Sequence, residues 1–287
     1  MPSETAVTAR EALHPDVGTV EKRLLDGIRS LVGDRTAYVC FSGGVDSTVL
    51  LAACLRSGAK TVALLGVSPS LPEAERLHSH ELAAELGAAV EEIETHEMDN
   101  PSYRANSGDR CYHCKATLFG TVQDFARQRT ETGVILVGTH TGDLGEHRPG
   151  LRAAAERNVA APLVDAGMDK NDVRALARQW KLSNAEKAAA PCLASRLPVG
   201  VQVSPERLAQ IETVENFLRE HGVWPARARW HDAVVRLEIA PDLFPSALAE
   251  PFRTQLHAVC RKAGFTFVAL DIAGLQSGSL ALPLLHA

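Results

Sequence analysis

The sequence predicts an α/β fold, a doubly wound parallel sheet followed by a smaller C-terminal α+β domain. Three observations carry this. Strand-like apolar runs alternate with helical periodicities from residue 17 to about 140, the pattern of βαβ units. Val134–Gly138 is continuously apolar, as suits a parallel strand buried on both faces. Past residue 200 the order becomes helix, strand, strand, helix, strand, which suits a separate α+β unit. We place the boundary near Val199–Val203, giving domains 17–200 and 201–287.

Residues 1–15 are polar and expected to fray. Val20, Leu24, Leu25, Ile28 and Leu31 mark one face of a helix over Val17–Leu31. Thr36–Phe41 reads as the first strand, and a helix runs from about Asp46 to Arg56, ended by Gly58. Thr61–Val67 is the second strand. Pro72–Leu86 is a helix stopped by Gly87, and Val90–Thr95 a third strand. The stretch from Met98 to Arg110 reads as loop and Ala116–Arg129 as helix. Within 140–200 the many glycines and prolines predict loop, apart from a helix over Asp169–Trp180 with Asp169 as N-cap. Ser204-Pro205-Glu206 is a helix start with its N-cap and its proline at N1. Strands follow at Ala226–Trp230 and Val234–Ile239, then a helix over Ser246–Ala263 and a strand at Thr266–Asp271.

The 287 residues, 45% hydrophobic and 23% charged, describe an ordinary globular composition with room for a sizeable core. No apolar run reaches the ~18 residues of a membrane span. The first ten residues lack the basic and apolar regions of a signal peptide, so a cytoplasmic location is expected. A net charge of −5 with 5% aromatics gives little support for a nucleic-acid partner.

Ser42-Gly43-Gly44-Val45-Asp46-Ser47-Thr48 joins the first strand to the second helix. Small, permissive residues let backbone N–H groups converge on an anion, and the helix N-terminus adds its dipole. The hydroxyls of Ser42, Ser47 and Thr48 add donors. The string is a phosphate cradle, and it is not a Walker A loop, whose spacing and lysine are absent. On a doubly wound sheet Ser42, Ser68 and Thr139 share the carboxyl rim where ligands bind.

Among six cysteines, Cys40, Cys54 and Cys260 read as buried, inert thiols. Cys111 and Cys114 form a C-x-x-C, a spacing that serves zinc, iron–sulfur clusters and redox pairs alike. Cys192 is the remaining thiolate candidate; three cysteines would leave one iron of a [4Fe–4S] cluster open. Cys192 also reads as a nucleophile, because Lys187 and Arg196 are close in sequence and cations favour the thiolate. Arg227 and Arg229 alternate along a strand and so share one face, an arrangement suited to a phosphate or carboxylate.

The string SGGVDS resembles the PP-loop of ATP pyrophosphatases, which have an adenine nucleotide alpha hydrolase-like, Rossmann-like fold. Taken with DRCYHCK, RPG at Arg148–Gly150, PLVDAG at Pro162–Gly167 and PCLASR around Cys192, the chain resembles the LarE family from about Ile28 to Ser279. Those are ATP-dependent sulfur transferases of nickel-pincer nucleotide synthesis. The resemblance implies adenylation of the carboxylates of pyridinium-3,5-biscarboxylic acid mononucleotide, then their conversion to thiocarboxylates. It implies ATP on Ser42, Gly43, Gly44, Val45, Asp46, Ser47, Thr48, Ser68 and Thr139, with Mg2+ near Asp46. It implies catalytic roles for Asp46, Lys115, Cys192 and Arg196, and substrate contacts for Ser195, Glu215, Arg227 and Arg229. Family members with a single cysteine give up the sulfur of the residue matching Cys192 and keep dehydroalanine. Members with the C-x-x-C are thought to hold a [4Fe–4S] cluster and pass an extra sulfide. With all three cysteines present, the resemblance favours cluster ligation by Cys111, Cys114 and Cys192, a sulfide or sulfur donor, and a homo-oligomer. The chain departs from the family at His140-Thr141-Gly142-Asp143, where an asparagine and an acidic pair are expected, and at Gln276, where an arginine is expected.

Two other enzyme classes use the same loop. A tRNA-thiolating enzyme would need a nucleic-acid surface. An amide-forming enzyme would have to take free ammonia, since no glutaminase domain fits beside this one. A nucleotide-binding regulator without chemistry is the fourth reading, and ATP–pyrophosphate exchange separates it from the enzymes.

Overall fold

Strand β1, Thr36–Cys40, is buried along its whole length. Ala37 and Val39 face one apolar layer, while Tyr38 and Cys40 face another. A strand that is apolar on both faces must be covered by helices on both. The computed structural model describes residues 17–129, 132–144 and 149–275. There β1 lies between β2 (Thr61–Val67) and β4 (Gly133–Val137), and β3 (Val90–Glu94) flanks β2; the order is β3-β2-β1-β4, parallel throughout. Residues 1–16, Arg148 and Gln276 lie outside the described residues.

One face is covered by α1 (Val17–Val32), α2 (Val45–Ser57), α3 (Glu73–Glu85) and α8 (Lys170–Gln179), through Leu24, Ile28, Val49, Leu50, Leu82, Val173 and Leu176. The other is covered by α5 (Arg110–Gln128) and α6 (Pro149–Glu156), through Phe119, Val122, Ala153 and Ala154. Short helices α4 (Pro101–Ala105) and α7 (Pro162–Asp165) fill the connections. This is the doubly wound sheet that the alternation of elements predicts.

A second, mixed sheet follows. Helix α9 (Pro205–Glu220) starts at Ser204, whose hydroxyl accepts from the Arg207 N–H at 3.4 Å. Strand β5 (Ala226–His231) runs antiparallel to β6 (Val234–Ile239), which pairs in parallel with β7 (Phe267–Leu270). Between them lie α10 (Phe244–Leu248) and α11 (Phe252–Lys262). The core of this part gathers Leu208, Ile211, Val235, Leu237, Cys260 and Phe265, and draws in Tyr103, Leu193, Ala194 and Leu197 from upstream. Among the described residues no helix is long and apolar enough to cross a membrane.

The structure departs from expectation at three places. Helix α5 starts at Arg110, not Ala116, so Cys111 and Cys114 stand within its first two turns. Three helices, α4, α6 and α7, replace stretches expected as loop; α4 is opened by Asn100, whose side chain accepts from the Ser102 N–H at 2.9 Å, with Pro101 at N1. The helix expected over Ser246–Ala263 is two helices, because Pro251 cannot continue the first and instead precedes the second.

Gly133 opens β4 against Tyr38, and a Cβ there would lie 2.1 Å from the ring's Cε2. The ring is fully buried and cannot swing away. Gly133→Ala should therefore cost about 1–3 kcal/mol, the range for overpacking a filled core, read as a lowered urea midpoint with unchanged slope.

Candidate functional site

The bend between β1 and α2 is made at Gly43, where φ is +65°. Gly44 caps α2 in an extended conformation, without a side-chain hydrogen bond. The hydroxyls of Ser47 and Thr48 turn back onto the Gly44 carbonyl at 3.0 and 2.9 Å, so they hold the bend while the first amides of α2 stay without a side-chain cap. Helix N-termini of this kind bind anions. The Ser42 N–H donates to Ser47 Oγ at 3.2 Å, closing the turn. Gly138 lets the end of β4 lie against this helix start: a Cβ there would sit 2.9 Å from the backbone of Asp46 and Ser47.

The loop opens into a cleft of about 630 Å³. Its walls include Ser42, Gly44, Asp46 and Ser47, the rim residues Ser68 and Thr139, and Lys115 with all three of Cys111, Cys114 and Cys192. Of the other loop residues, Val45 and Thr48 are buried behind it, and Gly43 packs on Ser79. Burial pushes the Cys114 thiol up to about 12, with Lys115 opposing and Cys192, Glu97 and Cys111 adding to the rise. Cys40, also on the wall, is pushed up by burial to about 11. Cys111 is exposed. The three thiols are donors of the kind a cluster takes. Among the described residues, however, no three His, Cys, Asp or Glu side chains are gathered closely enough to hold a metal ion.

The remaining predicted residues lie around a second cavity, also about 630 Å³, lined by Glu75, Lys187, Pro191, Arg196, Glu215, Arg219, Trp224 and Arg227 among others. Arg196 and Glu215 form a buried two-pronged ion pair at 2.8 and 3.0 Å. The other arm of Arg196 donates to the Pro191 carbonyl at 2.7 Å, the Cys192 carbonyl at 3.3 Å and the Ser195 hydroxyl at 2.9 Å. Arg229 is buried; it donates to Glu238 at 2.8 Å and to the Ser195 carbonyl at 2.9 Å. Arg227 is the one of the two alternating arginines that lines the cavity. Burial lowers its pKa first, with the guanidiniums of Arg229 and Arg196 adding to the effect and the carboxylates of Glu238 and Glu215 opposing it. The segment 187–192 divides the two spaces, with Pro191 facing one and Cys192 the other.

Sequence reasoning missed several groups whose partners are far away along the chain. Asn184 donates from Nδ2 to the Gly43 carbonyl at 3.2 Å and to Thr48 Oγ1 at 2.9 Å, clamping the loop from behind. Glu97, 2% exposed, accepts from Ser68 Oγ at 2.5 Å and lines the main cleft. Ser70 and Tyr103 share a 2.5 Å hydrogen bond, and the Ser70 carbonyl accepts from the Leu193 N–H at 2.9 Å beside Cys192. Lys170 pairs with Asp46. Nearer along the chain, in the stretch where the sequence departs from the family, His140 and Asp143 face each other at 3.6 Å, and the His140 backbone N–H donates to Asp143, which lines the cleft. Spacing alone signals none of the distant contacts.

No protein-family model matches the chain. It is 35% identical over 258 residues to an uncharacterized protein of Synechocystis sp., covering 89% of this chain and 96% of that one. It is 30% identical over 244 residues to the pyridinium-3,5-bisthiocarboxylic acid mononucleotide synthase of Lactiplantibacillus plantarum, covering 84% and 87%. An uncharacterized protein of Methanocaldococcus jannaschii is 27% identical over 221 residues, covering 77% and 84%. Similarity of this extent to the Lactiplantibacillus enzyme, along most of both chains, places this protein in the LarE family of pyridinium-3,5-bisthiocarboxylic acid mononucleotide synthases.

Proposed function

We propose that this protein is an ATP-dependent sulfur transferase that makes thiocarboxylates from the carboxylates of pyridinium-3,5-biscarboxylic acid mononucleotide. The observation that carries the reading is the meeting of an anion-binding loop, Lys115 and three thiols on one cleft. Such a cleft can host both halves of the chemistry. A substrate carboxylate oxygen attacks the α-phosphorus of ATP, the bond to the β-phosphate breaks, and pyrophosphate leaves. A sulfur nucleophile then attacks the acyl carbon and AMP leaves. The α2 N-terminus holds the phosphates, and Asp46 would face Mg2+, which would offset the charge developing on the leaving pyrophosphate. Lys115, beside Cys114 within the first two turns of α5, would face the α-phosphate.

The substrate's own phosphate fits the arginine-lined cavity. Arg227 is its nearest ligand in this reading; Arg196 and Glu215 line the same cavity, and Arg229 and Glu238 are buried as a pair in the second sheet. We divide the chain accordingly into a nucleotide-binding domain, 17–200, and a substrate domain, 201–287. Cys111, Cys114 and Cys192 are the residues that would hold a [4Fe–4S] cluster once drawn closer together, and such a group would supply sulfide-level sulfur at this cleft. Closing the three thiols on it requires loss of their protons, and a bound metal reverses the burial effect on Cys114. Six unpaired cysteines suit a reducing cytoplasm. Exposed Phe267 on the edge strand β7, and exposed Ile272 just past its end, support a homo-oligomer.

ATP–pyrophosphate exchange tests the reading. Asp46→Ala should abolish pyrophosphate release, and unchanged release would refute the assignment. Arg227→Ala should raise the substrate KM while leaving substrate-free ATP turnover within about twofold; equal loss of both would mean a folding defect. Cys111→Ala decides how sulfur is delivered. If the three thiols hold a cluster, this variant loses iron, visible absorbance and multiple turnover together. A single turnover that survives, with the chain lighter by the mass of one hydrogen sulfide molecule, would make Cys192 the donor instead.

A further inference from the structure

Lys170 is the first residue of α8, and its ammonium donates to both carboxylate oxygens of Asp46, at 2.7 and 2.9 Å. Asp46 belongs to the anion-binding loop and faces the cleft; Lys170 reaches it from 124 residues away. The two side chains keep 40% and 30% of their exposure. Pairs this open to water are weak and exchange at little cost. The first amides of α8 are taken: Asp169 accepts from the N–H groups of Asn171 and Asp172 at 2.7 and 2.9 Å. The ammonium of Lys170 is therefore what this helix start offers to a ligand.

With both its oxygens accepting from Lys170, Asp46 meets a divalent cation only with an ammonium charge already beside it, and the two cations repel. An incoming polyphosphate resolves the conflict. A lysine has a flexible stem and three donors, and it follows the larger negative charge. Lys115 stands on the cysteine wall, towards which the α-phosphorus must lie for sulfur to reach the acyl group. The leaving end then lies towards Asp46 and Lys170.

We propose that Lys170 is a pyrophosphate-binding residue that moves from Asp46 to the terminal phosphates of a nucleoside triphosphate, or to free pyrophosphate, and so releases the Asp46 carboxylate. It thereby distinguishes ATP and pyrophosphate from AMP. This inference rests on the nucleotide reading above, and the test separates the two.

Calorimetric titration of the full chain with pyrophosphate, AMP and a non-hydrolysable ATP analogue reads it directly. Lys170→Gln should weaken pyrophosphate and the analogue about tenfold and AMP less than about twofold, as expected for a lost charge-assisted contact. Lys170→Arg should restore most of the affinity. Metal-free titration tests the exchange itself: Asp46→Asn removes the competitor for Lys170, so pyrophosphate should bind more tightly. That gain should vanish in the Asp46→Asn/Lys170→Gln double variant. Equal weakening of AMP and pyrophosphate by Lys170→Gln, no weakening of either, or no gain in Asp46→Asn overturns the proposal. A parent protein that binds neither AMP nor pyrophosphate overturns the nucleotide reading with it.

Discussion

The bend at Gly43 is the constraint on which the site depends. A left-handed φ lets the chain leave the centre of the sheet and enter α2 with the helix start facing the cleft. A Cβ at this position would lie 2.4 Å from Ser79 Oγ, so α3 packs directly against the bend. The Gly43 carbonyl, turned away from the cleft, is held by Asn184. That contact brings in the segment leading to Cys192, and Lys187 on the same segment is fixed to Glu75 of α3 at 2.7 Å. Phosphate loop, α3 and cysteine segment are thus one hydrogen-bonded assembly, although 141 residues separate Gly43 from Asn184.

Much of this was legible because it is local. Strand, small-residue loop and helix follow one another between Thr36 and Ser57, and periodicity with turn chemistry suffices to read them. The N-caps at Asp169 and Ser204 are local too, and both side chains accept as an N-cap should. The helical setting of Cys111 and Cys114 was hidden because Arg110, Tyr112, His113 and Lys115 give the start of α5 no apolar face. That start is held from outside: Arg110 donates to Asn106 at 2.8 Å and to the Ala194 carbonyl at 2.7 Å.

The two arginines show the limit of reading a strand by alternation. Arg227 and Arg229 do share a face of β5, yet their surroundings differ. Glu238 on β6 stands opposite Arg227 and Arg236 opposite Arg229, yet it is Arg229 that reaches across diagonally to Glu238 and is buried with it, whereas Arg227 comes to line the second cavity. Spacing places both on one side; which of them is sunk is settled by contacts that neither spacing nor register gives, the diagonal pair with Glu238 and the bond from Arg229 to the Ser195 carbonyl.

The same physics gives Arg196 its place. Burying an arginine and a glutamate costs desolvation that a hydrophobic pair would avoid, so stability is a poor reason for them. What the pair does supply is direction. Glu215 on α9 accepts from the Ala228 N–H of β5 at 2.9 Å as well as from Arg196. Arg196 in turn grips the carbonyls of Pro191 and Cys192. Removing either partner would leave the other charge buried alone, at a cost of about 3–5 kcal/mol. The backbone of Cys192 is therefore registered against the second sheet by a contact that tolerates little displacement. Sulfur chemistry, which needs its reacting atoms within about 3–3.5 Å, has reason to rest on such a contact.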